Sequence, residues 1–264
     1  MRLEETLLHW CPAPLQLPFK YHYAKWRGRL EPELLYLKQL VAQYGRQGRR
    51  AIDVGANQGL YTYQLSQLFE IIEVFEPQPW CTGAIVAYRD SQKQLGSAIQ
   101  IHHVGLSDHD GSLSLYVPKS EGDYATEVAG LGRVSTGLAS FQKSSEDDVC
   151  WKTPVKRLDD YQFTDVALVK IDVEGHEQAV LKGAIQTIQR EHPLILIEIE
   201  QRHLLHASIQ DIFTQIANLG YAGYFLRSQQ LIALKNFSYE QHQAPFINNI
   251  LHPDYIHNFI FIGI

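Results

Sequence analysis

Short apolar runs alternate with helix-like segments along most of this 264-residue chain, and the alternation restricts the folds that it can adopt. The first strand-like runs cover residues 50–54, 71–75, 99–104, 166–173 and 194–199. Further strand-like runs follow at 112–117, 221–226, 231–234 and 258–262. The helix-like segments cover 31–44, 60–69, 80–94, 177–190 and 209–219. This order predicts an α/β fold, in which a doubly wound, mostly parallel sheet carries helices on both faces.

Two parts of the chain fall outside this alternation. Residues 1–28 are rich in aromatic residues and prolines, and with the helix that follows they make 1–49 an N-terminal cap or arm. This segment is interpreted as a substrate lid, an oligomer contact or an arm packed on the surface. Residues 119–150 are rich in glycine, serine and threonine, which indicates an inserted loop that is either functional or disordered. One hydrophobic core suits this length, so we expect a single domain over 1–264, with its catalytic core in 50–264.

Composition excludes several classes of partner. The net charge is -6 and the chain has no run of basic residues, so we expect no nucleic-acid partner. Cys11, Cys81 and Cys150 are far apart and predict neither a disulfide framework nor a zinc site, which fits a cytoplasmic protein. The N-terminus lacks a secretory pattern, and the longest apolar runs have the length of strands, so we expect no membrane span.

The loop after the first strand carries the strongest binding signal. Ligands of open α/β sheets bind outside the carboxyl ends of the strands, where this loop lies. Gly55 and Gly59 allow the backbone to approach a ligand closely, and Asn57 tolerates a left-handed conformation. A phosphate-binding P-loop needs Lys-Ser/Thr after its glycines, whereas Leu60 and Tyr61 stand here, so that interpretation fails.

Two acids at strand ends indicate the kind of ligand. Asp53 precedes the glycine loop, where a negative charge would repel a pyrophosphate but suit the amino group of a methionine moiety. Glu76 closes the second strand, where an acid accepts hydrogen bonds from ribose hydroxyls. After the third strand, Leu106 suits an adenine face, and Ser107 or Asp108 suits its polar edge. The alternatives are solvated strand-end carboxylates and a simple Ser-Asp turn.

The fourth main strand supplies the candidates for catalysis. Lys170, Asp172 and Glu174 alternate and therefore share one face, and charges in such a row are costly to bury unless they are paired. We expect Lys170 to pair with a carboxylate, and Asp172 and Glu174 to line the reacting centre. His176 follows in the loop, and because an ordinary imidazole has a pKa of about 6.5 it is the favoured general base. A loop histidine bonded to backbone is the alternative.

Acids on the fifth strand extend this cluster. Glu198 and Glu200 again share one face, and together with the preceding acids and His176 they offer oxygen ligands that suit Mg²⁺. Spacing alone does not decide whether an ion binds there. A divalent cation therefore stays open, and no metal site is predicted.

Eight short motifs in a fixed order give the chain a family resemblance. They are Asp53–Thr62, Glu76-Pro77, Val104–Asp108, Arg157–Tyr161, Val169–Glu177, Val180–Ala184, Ile195–Glu200 and Asn258–Phe261. In this order they resemble the FkbM-type methyltransferases, and the resemblance covers residues 50–200 well. Asn57 stands where the wider fold often has the middle glycine of Gly-x-Gly-x-Gly, as is usual in this family. Residues 1–49 and 119–150 match no motif.

The resemblance implies a class I methyltransferase fold, with a seven-stranded sheet whose last strand is antiparallel. It implies S-adenosylmethionine as the methyl donor and O-methylation of a hydroxyl on a sugar, a glycolipid or a natural product. The acceptor partner is then a small molecule or glycan, and a homo-oligomer stays open. The predicted donor-binding residues are Asp53, Gly55, Asn57, Gly59, Tyr61, Glu76, Leu106, Ser107, Asp108 and Asp172.

Two other functions remain in competition at this stage. The first is a metal-dependent hydrolase built on Asp172, Glu174 and His176, which leaves the glycine loop and Glu76 unexplained. The second is a non-catalytic nucleotide-binding protein of the same fold, although the donor motifs carry no obvious lesion.

Overall fold

A computed structural model describes residues 10–92, 98–119, 125–128, 132–135, 139–143, 145–205 and 207–264. The strands are β1 (Arg50–Val54), β2 (Ile71–Phe75), β3 (Ala98–His102), β4 (Gly105–Leu106), β5 (Gly111–Val117), β6 (Ala125–Val128), β7 (Gly132–Ser135), β8 (Val149–Lys156), β9 (Val166–Ile171), β10 (Leu194–Glu198), β11 (Tyr221–Arg227), β12 (Gln230–Ala233) and β13 (Asn258–Gly263). The α-helices are α1 (Ala13–Trp26), α2 (Pro32–Tyr44), α3 (Leu60–Ser66), α4 (Gly83–Ser91), α5 (Glu177–Lys182), α6 (Ile185–Glu191), α7 (Ile209–Ala217) and α8 (Tyr239–His242). Short 3₁₀ helices cover Leu158–Tyr161, Gln201–His203, Leu234–Asn236 and Ala244–Phe246.

The central sheet confirms the predicted fold class. Its strand order is β12-β11-β13-β10-β9-β1-β2-β3. Strands β10, β9, β1, β2 and β3 are parallel, and β13 is antiparallel to both of its neighbours. Among the described residues the sheet has eight strands, one more than the expected seven, because β12 forms a hairpin with β11 and adds an edge strand.

The apolar character of the middle strands follows from helices that cover both faces of the sheet. All six residues of β9 and four of the five in β1 are buried, as expected for parallel strands packed on two sides. One face carries a core with α5, α6 and α7, and the other carries a core with α1 to α4. The N-terminal segment therefore contributes core residues, among them Leu17 of α1 and Leu34 and Leu37 of α2.

Several boundaries differ from the predicted ones. The strands expected at 99–104 and 166–173 end earlier, at His102 and Ile171. The helix expected at 177–190 is split into α5 and α6 at Gly183. A Cβ at Gly183 would lie 1.9 Å from the carbonyl oxygen of Ser107, so the chain after β4 packs directly against this glycine.

Part of the predicted inserted loop is ordered structure. Strands β6 and β7 pair as an antiparallel hairpin, and β8 joins β4 and β5 in a second, three-stranded sheet. Residues 120–124, 129–131, 136–138 and 144 of this loop lie outside the described part of the chain. No helix in the described ranges has both the length and the apolar composition needed to cross a membrane.

Candidate active site

The first loop has the backbone shape that its glycines and Asn57 predict. Gly55, Asn57 and Gly59 all have positive φ angles, of 75°, 49° and 88°. A Cβ at Gly55 would lie 1.7 Å from the carbonyl oxygen of Asp172, so no other residue fits between β1 and the end of β9 without a shift. The loop thereby brings Asp172 close to the end of the first strand.

Glu76 is held by backbone amides at the end of β2. Its Oε2 accepts a hydrogen bond from the amide of Asn57 at 2.7 Å, and its Oε1 accepts one from the amide of Gln78 at 2.9 Å. Burial raises the pKa of Glu76 to about 7, although both amides act in the opposite direction. The Gln78 side-chain amide also donates to Oε1, at 3.4 Å, so the carboxylate is fixed in position and Oε2 keeps a second lone pair for a ligand.

Asp53 lies deeper than Glu76 and has different partners. Its side chain is fully buried, and its Oδ2 accepts a hydrogen bond from the Thr62 hydroxyl at 2.6 Å. Its Oδ1 lies 3.9 Å from Nζ of Lys170. Burial raises the pKa of Asp53, and Lys170 opposes that effect. Among the described residues, Asp53 is not part of the lining of either cavity at the site.

The first cavity opens at the carboxyl ends of the central strands and has a volume of about 250 Å³. One wall comes from the central sheet and the other from the second sheet and the 139–141 segment. Its lining includes Gly55, Asn57, Glu76, Leu106, Phe141, Asp172, Glu174 and Glu198. The polar groups of this cavity therefore face a largely apolar wall.

The second cavity lies between the N-terminal helices and the first loop and has a volume of about 360 Å³. Basic residues of the N-terminal segment, Lys20 and Arg29, line it together with Glu31. Gly59, Tyr61 and Lys170 belong to the same lining. The two cavities share Gly55, Asn57 and Asp172, so they adjoin at the first loop.

Lys170 supplies the cation at this junction. Its Nζ lies 3.0 Å from Oδ2 of Asp172 and 4.8 Å from the centre of the Tyr61 ring. Burial alone would lower the pKa of Lys170, but the carboxylates of Asp172 and Asp53 outweigh it and raise that pKa. The prediction that Lys170 pairs with a neighbouring carboxylate is confirmed.

Glu174 and His176 separate after β9, because Glu174 adopts a positive φ of 49° and turns the chain. Glu174 lines the first cavity and pairs with Nδ1 of His203 at 2.6 Å. His176 instead lies 3.0 Å from the hydroxyl of Ser107 and packs on Phe141. Burial lowers the pKa of His176 to about 4, so its imidazole is a weak base at neutral pH.

The polar residues after β4 lie away from the cavities. Ser107 is buried beside His176, and Asp108 pairs with His109 at 2.7 Å near the surface. Within the described ranges, Ser107, Asp108 and His176 are not part of either lining. In the described part of the chain, the potential ligand atoms of Asp172, Glu174 and His176 do not all lie within 4.8 Å of one another. The hydrolase interpretation, which needs these three residues around one metal ion, therefore lacks a geometric basis.

Other residues at the site were not selected by sequence reasoning. Phe141 belongs to a loop without periodicity, and Lys20 and Glu31 belong to a segment that matches no motif. Glu198 does have a sequence signal, as an acid at the end of an apolar strand, but that signal indicates only a potential metal ligand. Burial and neighbouring carboxylates, Asp172 first among them, raise the pKa of Glu198 well above its usual range.

The sheet and the position of the cavity define the class of fold. A parallel sheet with one antiparallel strand inserted between β10 and β11, and a cavity at the carboxyl ends of its strands, is the class I methyltransferase fold. The chain belongs to the methyltransferase FkbM domain family, whose model matches residues 53–222.

Two relatives illustrate this membership. "Methyltransferase 1" of Beauveria bassiana (strain ARSEF 2860) is 29% identical over 143 residues, which cover 50% of this chain and 57% of that protein. The crystal structure of the methyltransferase FkbM from Methylobacillus flagellatus KT superposes with a TM-score of 0.53 at 15% identity. That match covers 98% of this chain and 57% of the other chain. The chain thus spans a little over half the length of either relative.

Proposed function

We propose that this protein transfers a methyl group from S-adenosylmethionine to a hydroxyl of a small acceptor, such as a sugar, a glycolipid or a natural product. The observation that carries the proposal is the Glu76 carboxylate, which lines the first cavity and is anchored by two backbone amides. A carboxylate fixed at the end of the second strand is placed to accept hydrogen bonds from the hydroxyls of a ribose.

The two adjoining cavities suit the two ends of the donor. The nucleoside end fits the first cavity, where Leu106 and Phe141 offer apolar contact for an adenine ring. The methionine end fits the second cavity, where Lys20 and Arg29 attract a carboxylate and Asp172 attracts an amino group. In this proposal Asp53 does not contact the donor. It stabilises Lys170 and the start of α3 beneath the loop.

Methyl transfer requires the acceptor oxygen, the methyl carbon and the sulfonium sulfur to lie in line. Holding two reactants in such a geometry contributes roughly 7–11 kcal/mol to lowering the barrier. The bond from oxygen to the methyl carbon forms while the sulfur–carbon bond breaks, and the hydroxyl proton goes to a base. We assign this role to Glu174, which lines the first cavity, rather than to His176, which does not. This assignment replaces the sequence-based preference for His176.

Binding of S-adenosylhomocysteine, the demethylated donor, tests the proposal by titration calorimetry. Glu76→Gln should weaken binding by about ten- to a hundredfold, because hydrogen bonds to a charged group contribute about 1.5–3 kcal/mol. Glu70→Gln is the matched control, since Glu70 precedes the same strand at its other end and is exposed. It should change the affinity less than about twofold. Absence of binding to the wild-type chain would contradict the proposal.

A further inference from the structure

Three potential metal ligands meet at the edge of the sheet beside these cavities. Glu198 ends β10 and lies opposite Asn258, the first residue of antiparallel β13, so that His257 reaches the same edge. Glu31, the residue before α2, is held there through Oε2, which accepts hydrogen bonds from the Tyr61 hydroxyl at 2.6 Å and from Nδ2 of Asn258 at 3.1 Å, so its Oε1 is the oxygen left for an ion. One ligand atom each of Glu31, Glu198 and His257 lies within 4.8 Å of the other two.

An unpartnered imidazole nitrogen distinguishes this cluster from an ordinary acidic patch. Nδ1 of His257 is shut off from solvent and has no hydrogen-bond partner in the described part of the chain. Leaving a buried polar atom unpaired costs about 1–3 kcal/mol. An ion bound by Nδ1, through the lone pair of the neutral imidazole, would remove that cost.

The charges around the cluster are also unbalanced. Lys170 pairs with Asp53 and Asp172, while Arg202 pairs with Glu200. Within the described ranges, no salt bridge reaches Glu31 or Glu198. The carboxyl groups of Glu31 and Glu198 lie side by side and repel each other when both are charged, and a bound cation would offset that repulsion.

We propose that Glu31, Glu198 and His257 bind a divalent first-row metal ion. Two carboxylates and one imidazole suit an ion such as Mn²⁺, which accepts both oxygen and nitrogen ligands. Ligand atoms that share an ion at bond lengths of about 2.1 Å stand at most roughly 4.2 Å apart. The ligand atoms of Glu31, Glu198 and His257 lie within 4.8 Å of one another, so only small side-chain movements would bring them to the distances that a shared ion requires.

The position of this ion gives it a role at the site, and that role rests on the proposed function. Glu198 lines the first cavity and Glu31 lines the second, so the ion would lie beside both. Three protein ligands leave positions for an acceptor hydroxyl or water. A bound metal ion lowers the pKa of such a hydroxyl and fixes the oxygen for attack on the methyl carbon.

A second group of the same composition provides a matched control. Glu174, Glu200 and His203 also bring ligand atoms within 4.8 Å of one another. Both Glu200 oxygens are taken by Arg202, at 2.7 and 2.9 Å. Hydrogen bonding to Glu174 raises the pKa of His203 against the effect of burial, which favours the protonated imidazole that cannot bind a metal. This group is therefore an ion-pair network.

Electron paramagnetic resonance of Mn²⁺ tests the site without a methylation assay, because the signal of free Mn²⁺ diminishes when the ion binds. The wild-type chain should bind one Mn²⁺. Glu198→Gln and His257→Asn should each weaken binding at least about tenfold, since each removes a ligand. His203→Asn should change the affinity less than about twofold. Circular dichroism of every variant checks folding. If Glu198→Gln or His257→Asn does not fold, Glu31→Gln is measured in its place, with the same expected loss of binding.

Two results would overturn the site: no Mn²⁺ binding to the wild-type chain at millimolar concentration, or loss of binding in His203→Asn with binding retained in His257→Asn. Titration of the same samples with S-adenosylhomocysteine separates this inference from the proposed function. Binding of that nucleoside without Mn²⁺ binding would overturn the metal site alone. Mn²⁺ binding without nucleoside binding would support the metal site and contradict the proposal that S-adenosylmethionine is the methyl donor.

Discussion

Asp53 lies just before the end of β1 and Glu76 just after the end of β2, and their surroundings give them different chemistry. Two backbone amides hold the Glu76 carboxylate, which lines a cavity. Asp53 is buried between Thr62 and Lys170 and supports the loop from below. Acids near the ends of neighbouring strands can thus have different roles: one is placed to contact a ligand and the other supports the loop.

Residue spacing predicted which residues gather at this edge of the sheet, but not how deep each one lies. The positions of Glu76, Asn57 and Asp172 in the cavity lining agree with the predicted donor site, whose assignment stays a prediction. The depth of Asp53 depends on α3 and on Lys170, which pack from other parts of the chain. The burial of His176 depends on Phe141, from a loop without a sequence signal.

The buried carboxyl group of Glu33 makes the stability of the protein depend on pH. It lies in the first turn of α2, and burial raises its pKa to about 8 from an ordinary value of 4.5. The folded state therefore retains a proton that the unfolded chain loses, so this residue destabilises the protein progressively as the pH rises from about 4.5 to about 8.

Glu33→Gln should consequently raise the melting temperature at pH 8 and change it little at pH 4.5. We expect a gain of roughly 1–2 kcal/mol at pH 8, or about 2–8 °C, measured by calorimetry or circular dichroism. Glu240→Gln is the control, because Glu240 lies in the first turn of α8 but is exposed. An equal gain at both pH values for Glu33→Gln would show that its charge is not the cause.

Secondary-structure elements were predicted best where the apolar pattern was strong. Strands β1 and β2 occupy the predicted residues, because buried parallel strands are continuous apolar runs. Strand β8 was missed although its buried residues alternate, since it follows a segment rich in glycine and serine and contains Pro154. Its place is set by pairing with β4 and β5, which lie far from it in sequence.

The break between α5 and α6 shows a tertiary contact that overrides local helix periodicity. Gly183→Ala should destabilise the protein, because a Cβ there would lie 1.9 Å from the Ser107 carbonyl oxygen and force a backbone shift. Crowding of this kind costs about 1–3 kcal/mol, which corresponds to a melting temperature lower by roughly 2–12 °C.

Gly83→Ala is the matched control for this substitution. Gly83 begins α4, and a Cβ at that position meets no atom within 4 Å in the described structure. Alanine restricts the unfolded chain, so we expect stabilisation by about 0.4–1 kcal/mol in thermal unfolding. Equal melting temperatures for Gly183→Ala and the wild-type chain would contradict the close contact.

At the scale of the whole molecule, the site is assembled from parts that are distant in sequence. The central sheet supplies the acids, α1 and the residues before α2 form the second cavity, and the second sheet forms the apolar wall of the first. The alternation of strands and helices was enough to predict the fold class. The two segments without a motif, 1–49 and 119–150, contribute to the cavity walls, and their placement follows from packing that the pattern does not encode.

A crystal structure with S-adenosylhomocysteine would show whether the donor lies across both cavities with its ribose on Glu76. We expect both ribose hydroxyls within hydrogen-bonding distance of the Glu76 carboxylate, the adenine between Leu106 and Phe141, and the methionine amino group beside Asp172. A nucleoside bound elsewhere, or a Glu76 side chain that does not contact the ligand, would contradict this placement of the donor.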